Sequence, residues 1–441
     1  IGDYIIYGRK IEDFVEMLKN VQLIGENLIL VVYVHNLGFD FQFFRKYFYF
    51  DKVFSIKDRT PIKALTKNGI EFRCSYILSG KSLASIGKDL GCNKKVGDLD
   101  YEKIRLPITY LSDKEIEYCL YDIIVLQKYI KQKMEMDGDI TKIPLTNTGY
   151  VRNMCRDNCL KGLKNSDYRN FIQRLKLEPE EYIMLKQLFS GGFVHANYKY
   201  VGETLTNLFS YDFTSSFIAV MLSEKFPMSK GRKINVKSDS DFWYYMDKYC
   251  CMFSVLLENI KSRDCGDHIL SYSKCLEISK DVKIDNGRII EASRAIIMCN
   301  EVDFIELCKF YSFDYTIIGD FYVYDKEYLP KELIECLLDL YELKTTLKGV
   351  RGKELDYMIN KGKLNSIYGM LVTDVVRDSI DYNGDWSKHK AVVKNDVEKY
   401  NKDRNRFGFY PWGVWVTSYA RKNLYSAILE LGDDYVYSDT D

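Results

Sequence analysis

The 441-residue chain has no net charge, because 63 basic residues are matched by 63 acidic ones. A global electrostatic footprint for nucleic acid is therefore missing, and any such binding must rely on local basic strips. No apolar run reaches the length of a membrane span, and no signal-peptide pattern is visible. No internal repeat or low-complexity tract appears, which sets aside solenoid and disordered-linker architectures. Prolines number only 7, and the abundance of Tyr, Lys, Ile and Asn fits an AT-rich genome. The 12 cysteines are scattered, and no second ligand pair follows Cys155 and Cys159. The expectation is buried, reduced thiols in a cytoplasmic protein rather than a zinc centre.

What is present is a hydrophobic content of 46%, enough for large cores in two to four domains. The chain ends in Tyr437-Ser438-Asp439-Thr440-Asp441, led in by Asp433-Asp434-Tyr435-Val436. A short strand closing in Asp-x-Asp sets two carboxylates on a rigid element, and oxygen ligands of this kind suit Mg²⁺. Two-metal phosphoryl transfer needs a further carboxylate from elsewhere in the fold. Asp212 is the candidate, with the apolar segment Leu208-Phe209-Ser210-Tyr211 expected as a strand that delivers it. Taken singly, Asp439 and Asp441 read more readily as ordinary turn residues.

Upstream, residues 11–18 carry helical spacing, and residues 28–34 read as a strand opening into His35-Asn36-Leu37-Gly38-Phe39-Asp40. A carboxylate at the carboxyl edge of a sheet is a usual α/β site, although Asn36 and Asp40 could equally form a turn and an N-cap. Asp113–Met134 reads as a strong helix with Asp113 as N-cap and Ile116, Leu120, Ile123, Ile124 and Ile130 on its apolar face. Tyr118 and Asp122 share a face of it. Residues 135–185 read as a polar helical connector, and Phe189-Ser190-Gly191-Gly192 as a close-approach loop or a simple hairpin turn. Residues 224–331 alternate short strands and helices, and 374–406 read as charged and irregular. Glu332–Asn365 is helical, with a break near Gly349–Gly352, and Lys361, Asn365 and Tyr368 fall on one face. A lysine, an amide and an aromatic ring so placed would make a nucleotide platform; a solvated amphipathic helix has the same spacing.

The order of these pieces resembles a family B DNA polymerase of the protein-primed kind found in bacteriophages and linear plasmids. Asp212-Phe213-Thr214-Ser215-Ser216-Phe217 is similar to its first polymerase motif, and Lys361 to Gly369 fits Lys-x-x-x-Asn-Ser-x-Tyr-Gly. Tyr437 to Asp441 fits Tyr-x-Asp-Thr-Asp, and Thr417 to Arg421 resembles Thr-x-x-Ala-Arg. His35–Asp40 and Tyr118-x-x-x-Asp122 resemble the second and third proofreading-exonuclease motifs, and Phe189–Gly192 the Tyr-x-Gly-Gly linker. Departures are Phe189 for Tyr, Phe217-Ile218 for Tyr-Pro, no Asp-x-Glu near the start, and Val96 before Gly97 where a lysine is usual, with Lys95 one position away.

The resemblance implies an α/β multidomain fold: an RNase H-like 3′-5′ exonuclease domain plus right-hand palm and fingers with two insertions. The expected divisions are 1–152 (exonuclease), 153–223 (linker and first palm), 224–331 (first insertion), 332–372 (fingers), 373–408 (second insertion) and 409–441 (palm). The chain starts at Ile1 without Met and stops on Asp441, so it is expected to be truncated at both ends. It implies two Mg²⁺ per active site, replaceable by Mn²⁺, on Asp212, Asp439 and Asp441 and on Asp40 and Asp122, with Tyr118 orienting water. Lys361, Lys344, Asn365, Tyr368, Gly369, Phe213 and Phe217 would bind the nucleotide, with Phe217 as the sugar gate. His35, Asn36, Phe39, Phe43, Phe189, Gly191, Gly192, Ser215, Thr417, Ala420 and Arg421 would contact DNA. The implied partners are template-primer DNA, deoxynucleoside triphosphates and a terminal-protein primer, for a monomer in the host cytoplasm. A polymerase using ordinary primers and an inactive DNA-binding remnant are the rival readings.

Overall fold

The structure is a computed structural model that describes residues 4–25, 27–92, 100–351 and 353–440, apart from the side chains of 354–356, 358 and 359. Lys95, Gly97 and Asp441 lie outside the described residues. Two compact units result, Ile1–Val151 with Arg377–Ala391, and Arg152–Val376 with Val392–Asp441. Among the described residues no helix is long and apolar enough to cross a membrane.

The first unit runs α1 (Ile11–Ile24), β1 (Leu30–Val34), α2 (Leu37–Phe44), β2 (Phe50–Lys57), β3 (Thr60–Thr66), β4 (Ile70–Cys74), α3 (Ser75–Ser79), α4 (Leu83–Asp89) and α5 (Asp113–Asp137). Its sheet has the order β1-β4-β3-β2, with β1 parallel to β4 and the other pairs antiparallel. Alternate residues of β1 serve two cores, as a period of two requires. Val32 and Val34 pack with Leu37, Phe41 and Phe44 of α2, while Tyr33 packs with Ile86 of α4 and Val125 and Tyr129 of α5. Helices thus cover both faces of the sheet. Ser112, not Asp113, caps α5, in a reciprocal capping box with Glu115. Hydrogen bonds from the Ser112 backbone and from Arg105 lower the pKa of Glu115 to about 2. The buried face is Tyr118, Val125, Tyr129 and Ile130; Ile123 is exposed, because the helix packs on α4 with a stripe offset from the one the isoleucines outline.

The second unit begins in α6 (Asn147–Leu160), α7 (Ser166–Arg174) and α8 (Pro179–Leu188). These are more than a connector: Cys155, Cys159, Tyr168, Ile172, Tyr182 and Leu185 are buried, and the Cys155 thiol lies 3.6 Å from that of Cys336. There follow β5 (Phe193–Ala196), α9 (Ser216–Ser223), β6 (Phe226–Pro227), β7 (Arg232–Ile234), α10 (Asp239–Lys248), β8 (Cys250–Ser262), β9 (Cys275–Ile278), β10 (Lys283–Asp285), β11 (Arg288–Asn300), α11 (Glu301–Phe310), β12 (Tyr311–Tyr324) and β13 (Lys326–Glu327). The sheet order is β10-β11-β8-β12-β7, with β9 on β11. Its central strands span 13, 13 and 14 residues, longer than the sequence suggests. The disguise is physical: Cys250 to Phe253 are all buried, so the alternation that marks a half-exposed strand is missing.

Next come α12 (Lys331–Leu347) and α13 (Glu354–Leu371), a packed helical pair separated by a left-handed Gly349. The segment expected to be irregular forms a hairpin, β14 (Ser379–Tyr382) and β15 (Trp386–His389), then α14 (Val393–Lys402). That hairpin belongs to the first unit. Tyr382 and Trp386 set their rings 5.3 and 5.7 Å from the Phe41 ring, and aromatic burial holds the hairpin where its charged flanks disguise it. The chain closes with α15 (Tyr410–Leu431) and β16 (Tyr437–Thr440).

Candidate active site

β16 carries Asp439 and pairs antiparallel with β5, setting Asp439 opposite Val194, Ser438 opposite His195 and Thr440 opposite Phe193. The strand is pinned from below. Buried Tyr435 donates to Ser438 Oγ at 2.8 Å, and Asn197 donates to the Tyr435 carbonyl at 2.8 Å. Gly192 is required by this pairing, since a Cβ there would meet Thr440 Cγ2 at 2.5 Å; Gly191 has open space around it. The double glycine is therefore a close approach leading into a ladder, not a simple hairpin turn. Asp439 is exposed.

The segment before Asp212 differs from expectation. Residues 208–213 form no strand, and Leu208, Phe209 and Tyr211 are exposed at 60, 82 and 79%. A strand exists only as half of a hydrogen-bonded ladder, and no described strand pairs with this stretch. Asp212 itself is exposed. Order begins just after it. Ser215 takes a left-handed backbone at φ 54° and starts α9. Its hydroxyl accepts from the Lys344 ammonium of α12 at 2.7 Å, and Lys344 is only 7% exposed. Phe217, on the first turn of α9, stacks on Tyr368 of α13 with ring centroids 4.0 Å apart and planes at 28°. Beneath that contact Leu364, Ile367 and Leu371 fill the buried face of α13, leaving Lys361, Asn365 and Gly369 exposed and Tyr368 half-buried. Phe213 is partly exposed, at 39%. Residues expected to bind one nucleotide thus come together from α9, α12 and α13, elements that pack on one another.

The expected template contact is corrected. Thr417, Ala420 and Arg421 are 1, 4 and 6% exposed, because α15 is buried all round from Tyr410 to Arg421. Arg421 pairs with both oxygens of Asp303 at 2.9 and 2.7 Å and donates to the Ser190 and Gly191 carbonyls at 2.7 and 2.9 Å. Its guanidinium holds the glycine loop against α11, and such a fork is suited to that geometry. Phe189, half-buried, ends α8, and its carbonyl accepts from Lys274.

In the first unit, Asn36 sits in the left-handed region at the N-cap of α2 without a side-chain capping bond, and Asp40 lies within the helix. Burial raises the Asp40 carboxyl pKa, against the opposing pull of a backbone hydrogen bond. His35 Nδ1 lies 3.0 Å from Ser75 Oγ. Phe39 and Phe43 form an exposed pair on α2, 61 and 55% accessible, with rings 5.1 Å apart. Tyr118 is buried with its hydroxyl 2.8 Å from that of Tyr101, and Asp122 is half-buried one turn on. The helices carrying Asp40 and Asp122 belong to different cores, on opposite faces of the sheet.

A buried cluster escaped the sequence. His195 Nδ1 lies 2.9 Å from both oxygens of Asp267, and its Nε2 lies 3.3 Å from the Asp285 carbonyl and 3.5 Å from its carboxylate. Burial alone would lower the His195 pKa, but the Asp267 hydrogen bond and both acid charges raise it overall. Its partners lie 72 and 90 residues away, so no local pattern announces them.

Among the described residues neither Asp212 nor Asp439 forms an ion pair with a cationic side chain. Exposed carboxylates left uncompensated are donors that suit a hard divalent ion such as Mg²⁺.

No family model matches the chain, and no curated protein matches it. Solved structures do. Phi29 DNA polymerase complexed with primer-template DNA aligns with a TM-score of 0.71 at 16% identity, covering 98% of this chain and 73% of that one. The same polymerase complexed with single-stranded DNA gives 0.69 at 16% identity, covering 98 and 72%. Its ternary complex with primer-template DNA and incoming nucleotide substrates gives 0.66 at 16% identity, covering 98 and 73%. The chain therefore has the fold of a DNA polymerase, mixed α/β and multidomain.

Proposed function

We propose that the chain is a template-directed DNA polymerase of the protein-primed family B kind, adding deoxynucleotides to a 3′-OH with release of pyrophosphate. The observation that carries this reading is the stack of Phe217 on Tyr368, with Lys344 held on Ser215 beside it. Two motifs about 150 residues apart in sequence, each matched to the family's nucleotide site, meet in one wall.

Asp212 and Asp439, with Asp441, are the carboxylates for Mg²⁺, which when bound would supply charge neutralisation and Lewis-acid polarisation at the phosphoryl group. Lys361, exposed on α13, reaches for the triphosphate. Asn365 and the Tyr368 ring shape the nascent base-pair pocket. Phe217 closes the sugar pocket, and its ring blocks a ribose 2′-OH. Gly191, with open space around it, lets a DNA strand approach the loop backbone. The first unit is read as the 3′-5′ exonuclease domain: Asp40 and Asp122 are its metal carboxylates, Tyr118 orients water, and Phe39 and Phe43 offer rings to unpaired bases. Priming by a terminal protein rests on the long segments 224–331 and 373–408.

The test is primer extension with Mg²⁺ by full-length protein. Asp212→Ala and Asp439→Ala should each lower nucleotide addition by about 10³-fold or more, while duplex binding stays near wild type. Extension at most of the wild-type rate in either variant removes the assignment.

A further inference from the structure

Behind the glycine loop lies a cavity of about 210 Å³, whose lining includes Gly191, Gly192, Lys274, Arg288, Asp303 and Arg421. Its charges do not balance. Arg421 and Asp303 satisfy each other through their two-fold ion pair. Lys274 and Arg288 have no carboxylate within ion-pair distance among the described residues. Lys274 donates to the Phe189 carbonyl, one bond for an ammonium that carries three donors. Arg288 donates to the Ile269 carbonyl at 3.2 Å and lies 4.5 Å over the Phe193 ring, so its planar fork is held in place with further donors to spare. Burial, together with the charges of Arg421 and Lys186, lowers the Lys274 pKa, as expected where positive charge lacks a counterion.

We propose that this pocket is a phosphate subsite, in which Lys274 and Arg288 together hold one backbone phosphate of a DNA strand lying against Gly191 and Gly192. The inference rests on the polymerase reading and deepens it. It gives the segment 224–331, which supplies both cations, a direct part in gripping DNA. The chemistry fits: a compact ammonium and a forked guanidinium from neighbouring strands and turns favour a tetrahedral oxyanion, and the open space beside Gly191 leaves room at the loop, while Gly192 packs against Thr440. A free phosphate or pyrophosphate carries the same oxyanion, so the test must separate the two sources.

Binding of labelled primer-template DNA is measured against salt for the wild type, Lys274→Gln, Arg288→Gln, the double variant and Arg288→Lys, with thermal melting in inorganic phosphate alongside. Each glutamine variant should weaken DNA binding by about 3–10-fold, and the double variant should lower the slope of log affinity against log salt by about 1, one phosphate contact's share. Arg288→Lys should bind almost as the wild type does, which separates lost charge from lost packing. Inorganic phosphate should raise the melting temperature of the wild type and not of the double variant. Loss of that stabilisation with an unchanged salt slope would assign the pocket to free phosphate and overturn the DNA placement. No change in either readout overturns the subsite altogether while a wild type that extends primers leaves the polymerase reading intact. A wild type that neither binds nor extends primers overturns both.

Discussion

The two units organise their candidate residues in opposite ways. In the second, residues from distant segments touch: Phe217 on Tyr368, Lys344 on Ser215, and Gly192 under Thr440. In the first, Asp40 and the pair Tyr118 and Asp122 ride on helices of two separate cores, one on each face of a sheet. The second arrangement fixes a wall through side-chain packing. The first depends on the sheet to keep two helices in register, so its site geometry follows from the β1–β4 pairing rather than from contacts among the functional groups. A site welded by direct contacts should show coupled mutational effects, and one assembled across a scaffold should show independent ones.

Four substitutions can break or sharpen this contrast. The largest effect on stability is expected from Arg421→Ala. It leaves the half-buried Asp303 without its cationic partner and releases the glycine loop, and losing one partner of a largely buried pair costs up to about 3–5 kcal/mol. Denaturant unfolding of the second unit should show that loss, and a variant with wild-type stability but weakened DNA binding would restore Arg421 to the DNA surface. Phe39→Ala and Phe43→Ala should behave inversely. Both rings are exposed, so folding should change little, while single-stranded DNA binding should fall by about 1–3 kcal/mol per lost stacking partner. Unchanged affinity in the double variant would remove these rings from the DNA path.

The smallest effect is a pH dependence at His195. Its pKa in the folded protein is raised above the ordinary value of about 6.5. The imidazolium bridge between Asp267 and Asp285 therefore contributes its full stability below about pH 6.5, and that contribution is lost as pH rises through the raised value. Unfolding midpoints compared at about pH 6 and about pH 8.5 should differ more for the wild type than for His195→Gln. Equal differences would mean that the cluster does not titrate with folding.

The legibility of the sequence follows the range of each interaction. The shared face of Lys361, Asn365 and Tyr368 on α13 could be read from their spacing, because helical periodicity is local; on it Lys361 and Asn365 are exposed and Tyr368 is half-buried against Phe217. The mixed α/β, multidomain fold was legible through the order of motifs. Arg421 was misplaced because its partner Asp303 lies 118 residues away and an arginine in a helix has no local mark of burial. The strand expected before Asp212 failed for the same kind of reason: apolar residues favour a strand, but only a neighbouring strand makes one. The hairpin at 379–389 was hidden because Tyr382 and Trp386 sit among charges and find their core in the other half of the chain.

The central claim is that Phe217 and Tyr368 form one wall of one nucleotide site. A double-mutant cycle on single-nucleotide incorporation tests it most directly, with Phe217→Val, Tyr368→Ala and the pair assayed with deoxy- and ribonucleotides. The stack predicts that Phe217→Val raises ribonucleotide incorporation. It also predicts that Tyr368→Ala partly reproduces this loss of discrimination, and that the pair falls short of the summed effects by about 0.5–1.5 kcal/mol, the range for a direct aromatic contact. Strictly additive effects, or unchanged sugar discrimination in Phe217→Val, would contradict it.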